Sequence, residues 1–287
     1  MNYSALIQNR KSVRAFSEKY VSFEDVDQIK SYYHKSVRRL LPDVKTELRM
    51  FGLDARAVLE GAAGYKQFLV GAPQYMVLLS EKHPHAEENA GYIMEDLILK
   101  LTGMGLDTCW LTFTDSEYVK TALEIDSSLD VVAMAAFGYG EKSTKRLRVN
   151  ALSMSRVDVS AQRQYFAPKK GIRDLVFLDS WGNSAGVEEF IGFYDDMLWE
   201  ALYAASLAPS YLNRQPYGFV IREGRITLVQ TPDEYTDAID GKLGLGIVML
   251  HFAAVAARWA GSVEWKLEEA DALPLPEGYT AVASAAL

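Results

Sequence analysis

Cysteine occurs once in 287 residues, at Cys109. That excludes a disulfide framework within the chain and a cysteine-built metal cage. The residue stands in the apolar stretch DTCWLTF and reads as a buried, inert thiol, not a nucleophile. Histidine is sparse as well: His34, His83, His85 and His251 are scattered, and no metal site is expected from them. Cations are outnumbered, 30 Lys and Arg against 38 Asp and Glu, for a formal net charge of -8. Such a balance argues against holding nucleic acid by counterion release. The densest basic run, Lys35 to Arg39, reads as a solvated helix face. The opening MNYSALIQNRK lacks the apolar core of a signal peptide. No uncharged apolar run reaches the ~18–20 residues of a membrane span; the nearest, Leu243 to Ala257, is short and rich in Gly and Ala. A cytoplasmic protein with neither nucleic acid nor membrane as partner is the expectation. No GxSxG elbow surrounds Ser210, which argues against a serine hydrolase.

What is present suffices for a large core, or for two smaller ones: 49% of the residues are hydrophobic. Met94, Leu97, Ile98, Leu101 and Met104 follow the i, i+3, i+4, i+7 spacing and predict a helix from Gly91 to Met104, ended by Gly105. Thr108 to Phe113 reads as a short extended or loop segment. Val131 to Phe137 reads as a buried strand, followed by a turn at Gly138-Tyr139-Gly140.

The pattern recurs. Gly246, Met249, Phe252, Ala253, Ala256 and Trp259 each stand 155 positions after Gly91, Met94, Leu97, Ile98, Leu101 and Met104. Trp265 stands 155 positions after Trp110, and Ala281 to Leu287 echoes Val131 to Phe137. A glycine, a periodic apolar face, a tryptophan and a small-residue strand in one order predict a duplicated unit. The halves are drawn at 1–155 and 156–287. Ser153 to Asp179 reads as an irregular crossover linker, Gly186 to Leu207 as a helix, and Phe219–Ile221 with Arg225–Val229 as a hairpin across Glu223-Gly224.

Three segments hold unusual polar residues. Arg10-Lys11-Ser12-Val13-Arg14 packs three cations and a hydroxyl into five positions, a compact anion receptor. Ala208-Pro209-Ser210-Tyr211-Leu212-Asn213-Arg214-Gln215-Pro216-Tyr217 sets donors and acceptors on a loop stiffened by two prolines. Gly138-Tyr139-Gly140 precedes a basic tail of Lys142, Lys145, Arg146 and Arg148. Each motif alone is a weak signal, since plain turns and linkers contain the same residue types.

Together they resemble the FMN-dependent nitroreductase family, with its Arg-rich opening, APS-x-x-N-x-QP-aromatic loop, central helix, segment like DTCWLTF and late Lys/Arg pair. The order differs, because the first half has the Arg segment without the loop, and the second half has the loop without the arginines. Around Trp181-Gly182-Asn183-Ser184, where a second Arg segment is expected, there is none. The match is to a subgroup with two fused nitroreductase-like halves in one chain. The resemblance implies an α+β fold, an internally duplicated pseudo-dimer with mixed and antiparallel sheets flanked by helices. It also implies one FMN per chain and a monomer acting as its own dimer.

By the same resemblance, Arg10, Ser12, Lys145 and Arg146 hold the FMN phosphate, with Lys11 nearby and Arg148 as rival to Arg146. Arg14 lies near the pyrimidine edge and stabilises negative charge there. Pro209, Ser210, Tyr211 and Asn213 reach the flavin from the other half. Trp110, Leu111 and Thr112 cover one face of the ring. Lys66 is a weaker candidate beside it. The implied activity is hydride transfer from NAD(P)H to an electron-poor acceptor such as a nitroaromatic or quinone. The alternative is a flavin-binding sensor or storage protein without turnover. No acid–base side chain stands out; Tyr211 and Tyr217 read as packing aromatics.

Overall fold

The computed structural model describes residues 1–64, 68–141, 146–153, 156–162, 168–184, 196–267 and 273–287, with 146–153 and 156–162 as strand backbone. Lys66 and the first ten residues of the helix predicted from Gly186 to Leu207 lie outside these residues.

The chain opens with α1 (Tyr3–Asn9) and α2 (Phe23–Lys35). Ser22 caps α2 by accepting the Asp25 N–H at 3.1 Å, and Glu24 and Asp25 begin the helix while His34 and Lys35 end it. That charge order suits the helix dipole. Next come β1 (Thr46–Phe51), α3 (Ala55–Leu59), β2 (Gln74–Ser80), the central helix α4 (Ala86–Gly103), β3 (Asp107–Leu111), α5 (Ser116–Ala122) and β4 (Asp130–Gly138). These strands form an antiparallel sheet in the order β1-β2-β4-β3. β4 is apolar from Val131 to Gly138 because both of its faces are covered. Ala133, Ala135 and Phe137 pack toward Met94, Leu97 and Ile98 of α4, while Val131, Met134 and Ala136 pack with Val119 and Leu123. A strand with one wet face would alternate instead.

Among its described residues the expected linker, Ser153 to Asp179, holds β6 (Arg156–Gln162), which pairs with β5 (Arg146–Ser153) just before it, then α6 (Ile172–Leu175) and β7 (Val176–Leu178). β5 and β6 do alternate, Leu147, Val149 and Ala151 on one and Val157, Val159 and Ala161 on the other with polar residues between, a period-2 signal present in the sequence, whereas α6 and β7 are too short to show a pattern. The expected boundary between residues 155 and 156 lies between the paired strands β5 and β6.

The second sheet follows from α7 (Asp196–Ser206), β8 (Tyr217–Arg222), β9 (Arg225–Gln230), α8 (Ala238–Ala260), β10 (Lys266–Leu267) and β11 (Thr280–Ala286). Its order is β10-β11-β9-β8-β7, antiparallel except for β7, which lies parallel to β8. Without β7, the order β8-β9-β11-β10 repeats β1-β2-β4-β3, and each sheet has its central helix inserted after its second strand. The fold is therefore α+β and internally duplicated.

The two central helices cross at their glycines. A Cβ added to Gly91 would lie 2.2 Å from the Leu243 carbonyl oxygen, and one added to Gly246 would lie 2.0 Å from that of Glu88. Leu243 stands 155 positions after Glu88, as Gly246 does after Gly91. The contact is thus reciprocal, as in an interface between two copies related by a two-fold axis. α8 is long and apolar enough to cross a membrane, with a mean hydropathy of 1.6 over its best window, but most of that window is buried inside the protein. It is the longest helix among the described residues, and it packs against α4 and α7.

Candidate functional site at the junction of the two halves

The Arg segment is an extended strip laid along the first sheet. α1 ends at Arg10, whose N–H bonds the Leu6 carbonyl at 2.8 Å. Ser12 pairs with Thr108, and the Val13 N–H bonds the Thr108 carbonyl at 2.9 Å. Phe16 pairs with Gly140, and the Ser17 N–H bonds the Tyr139 carbonyl at 2.8 Å. Gly140 has a steric reason to be glycine: a Cβ there would lie 2.6 Å from Asp107 Oδ2, which accepts the Gly140 N–H at 3.0 Å. The strip leaves Lys11, Ser12 and Arg14 exposed. Arg10 turns inward, its Nε 3.4 Å from Glu95 Oε1, with only 9% of its side chain exposed.

The loop beyond residue 208 is held from beneath. Buried Gln215 donates from Nε2 to the Ser206 carbonyl at 2.8 Å and to the Tyr217 hydroxyl at 3.1 Å. Its Oε1 accepts the Lys170 N–H at 2.8 Å, and Ser210 Oγ accepts the Gln215 N–H at 2.9 Å. Leu212, Asn213 and Gln215 all have positive φ, at 47°, 58° and 51°. Residues with a Cβ rarely adopt that conformation, and such strain persists only where surrounding bonds over-determine it. Tyr217 donates to the Ala205 carbonyl at 3.0 Å, and burial pushes its phenol far above the ordinary range. It is a core anchor and holds its proton.

The segment from residue 168 is bonded to the loop. Asn213 Nδ2 donates to the Pro168 carbonyl at 2.5 Å, and Lys169 Nζ donates to the Ala208 carbonyl at 2.8 Å. Burial lowers the Lys169 amine to about 8; the charge of nearby Arg10 pushes the same way, against the pull of Glu95. Lys169 is a site residue that sequence reasoning left inside a linker. The available signal was a lysine pair set between Pro168 and Gly171 in an acidic chain. Of the cations expected from the basic tail, Lys145 lies outside the described residues. Arg146 and Arg148 stand on β5, opposite Gln162 and Ser160 of β6. That hairpin forms its own two-stranded sheet, separate from both larger sheets.

After β3, Thr112 accepts the Gly64 N–H at 2.7 Å. Trp110 donates from Nε1 to Glu95 Oε2 at 2.8 Å, while Leu111 is buried in the first core. Thr112 and Phe113 face Tyr211, Asp237 and Asp240 across a cleft of about 390 Å³. The cleft thus joins one expected residue from each half, Thr112 and Tyr211. It also holds an acid that sequence reasoning missed. Asp237 caps α8 by accepting the Asp240 N–H at 2.8 Å. Burial, and then the charge of Asp237, raises the Asp240 carboxyl to about 7. Cys109 is buried, and desolvation raises its thiol against the opposing charges of Arg14 and Arg10. Pro209, Ser210 and Asn213 are partly buried on the same loop as Tyr211.

The arrangement offers exposed cations and a hydroxyl on the Arg strip and, lined by none of those residues, a mixed aromatic and polar cleft. A search of curated proteins found no match to this chain. A family model described as "Putative TM nitroreductase" matches residues 2–256. The crystal structure of a Thermotoga maritima MSB8 protein of that description is 19% identical, with 100% of this chain and 94% of that chain covered, at a TM-score of 0.61. A nitroreductase family protein from Clostridium novyi NT is 18% identical, covering 64% of this chain and 97% of that one, with a TM-score of 0.44. An FMN-dependent nitroreductase from Clostridium difficile R20291 is 18% identical, covering 48% and 88%, with a TM-score of 0.41.

Proposed function

The chain belongs to this nitroreductase family, and from that premise we propose that it is an FMN-dependent oxidoreductase moving hydride from NAD(P)H to an electron-poor acceptor such as a nitroaromatic or quinone. One observation carries the reading. Lys169, which bonds the Ala208 carbonyl of the second half's loop, lies close enough to Arg10 of the first half to feel its charge.

The donor set fits a flavin mononucleotide. Arg10 is paired with the Glu95 carboxylate, Lys169 feels the charges of both, and Lys11, Ser12 and Arg14 stand exposed on the same strip. That leaves positive charge uncompensated in an otherwise acidic protein, which a phosphate dianion would balance. Arg10, Ser12 and Lys169 would hold the phosphate, with Lys11 nearby. Lys169 would add a cation to those expected of Lys145, Arg146 and Arg148. Arg14 would place a cation beside the ring and favour added negative charge there. Trp110, Leu111 and Thr112 would lie on the side of the first half, and Pro209, Ser210, Tyr211 and Asn213 on that of the second. When bound, the flavin supplies the hydride chemistry, and the protein supplies orientation, charge and exclusion of water. Asp240 is the group lining the cleft whose proton is available near neutral pH. The halves, taken as 1–155 and 156–287, make one composite site, and the chain works as a monomer.

Flavin titration followed by absorbance tests the reading, repeated on Arg10→Ala. Wild type takes up FMN, and the variant binds it at least about tenfold more weakly, the worth of one charge-assisted contact. Unchanged affinity would remove the phosphate assignment. Bleaching of the bound flavin by NADH or NADPH marks an enzyme, whereas binding without bleaching marks a carrier or sensor.

A further inference from the structure

Glu95 is completely buried on α4, yet donors from three separate elements converge on its carboxylate. Trp110 Nε1 lies 2.8 Å from Oε2 and His251 Nε2 lies 3.0 Å from Oε1, both within hydrogen-bond distance, while Arg10 Nε lies 3.4 Å from Oε1 as an ion pair without a hydrogen bond. Arg10 and Trp110 belong to the first half, and His251 comes from α8 of the second. The other His251 nitrogen, Nδ1, lies 3.0 Å from the Ala204 carbonyl, which can only accept. Both imidazole nitrogens thus face acceptors, and the ring is fixed from two sides.

A lone buried carboxylate is costly, so its partners have to justify its place. Burial by itself would raise the Glu95 carboxyl. The His251 hydrogen bond and the Arg10 charge outweigh that and hold it below the ordinary carboxylate value. Glu95 is therefore an anion at neutral pH, lying against the one buried arginine of the Arg segment.

The duplication shows that this carboxylate is not a requirement of the fold. Leu250 stands 155 positions after Glu95, and Asp96 stands 155 before His251. Asp96 serves other groups: it accepts from the Tyr3 hydroxyl at 2.8 Å, the Tyr32 hydroxyl at 2.9 Å and the Arg38 N–H at 2.8 Å. Trp265, the counterpart of Trp110, donates to the Met249 backbone carbonyl at 3.1 Å. The same helix crossing is thus built without the carboxylate on one side, and the Glu95–His251 pair occurs on the side that carries Arg10.

We propose that Glu95, clamped by His251 across the two halves, is a positioning residue that fixes the Arg10 guanidinium for the phosphate of the cofactor. The proposal rests on the FMN reading. Riboflavin shares the ring and lacks the phosphate, so the two flavins separate the effects. Both are titrated into apo-protein of wild type, Glu95→Gln, Arg10→Ala and the double variant, with unfolding curves as a check on folding. Glu95→Gln should weaken FMN about tenfold, leave riboflavin within about twofold, and add nothing in the Arg10→Ala background. Where Glu95→Gln does not fold, His251→Asn carries the same cycle and the same expectation. Tighter FMN binding in Glu95→Gln would overturn the proposal, since the carboxylate would then compete with phosphate for Arg10. Equal losses for both flavins, or full additivity in the double variant, would overturn it too. Failure of wild type to take up FMN is a separate outcome, which removes the cofactor reading and this proposal with it.

Discussion

At the scale of single residues, Asp240 shows how burial creates chemistry that composition hides. Its Oδ2 is buried without a hydrogen bond, and Asp237 lies one helical turn away. An aspartate in the unfolded chain titrates at 3.8, and Asp240 in the folded protein at about 7. Between those values the folded state keeps a proton that the unfolded state has lost, so stability falls as pH rises through this window. Above it the full cost is present. Asp240→Asn should therefore be more stable than wild type by on the order of 2 kcal/mol at pH 8 and nearly equal to it at pH 4. Urea unfolding at the two pH values checks this; an equal difference at both would remove the titration from the account. Neither Asp240 nor Lys169 was legible as a site residue in the sequence. An aspartate at a helix start reads as a cap and a lysine in a linker reads as solvated, until neighbours from the other half desolvate them.

Among the elements, the crossing of α4 and α8 decides most. Gly91 and Gly246 let two backbones meet where any Cβ would touch a carbonyl oxygen. Gly91→Ala should cost about 2 kcal/mol, because separating the helices outweighs the roughly 1 kcal/mol gained in helix propensity. Gly246→Ala should behave alike, and the double variant should cost less than the sum, since one displacement relieves both clashes. Gly244, in the same helix, has nothing within 4 Å of its would-be Cβ. Gly244→Ala should instead stabilise by up to about 1 kcal/mol. Urea midpoints for the four variants check these signs together, and a stabilised Gly91→Ala would refute the close crossing. This element was well read from sequence: the helix expected from Gly91 to Met104 is the later part of α4, and the hairpin across Glu223-Gly224 is β8 and β9. Periodicity over several turns and a short loop between apolar runs are local signals. α6 and β7 are four and three residues long, below what a local pattern resolves.

For the whole molecule, the duplicated frame sets a stoichiometry. Where a second Arg segment would lie, Trp181 packs against Phe177 at 4.4 Å and Tyr279 at 5.2 Å, close over Gly218. That position holds an aromatic cluster in place of cations. Titration of apo-protein with FMN should saturate at one equivalent per chain, and a break at two equivalents would refute the single composite site. By itself the sequence determined the repeat: a glycine, an apolar face and a tryptophan at a constant offset of 155 are properties of order along the chain. It also marked the two polar segments, because clustered cations and a proline-flanked loop are visible locally. Only the tertiary structure decided that Arg10 turns to Glu95, that Lys169 meets the loop at Ala208, and that Thr112 faces Tyr211 across a cleft. Each of those pairings joins residues far apart in the chain. The packing of whole elements brings them together, and no local pattern encodes which distant surface a side chain will meet.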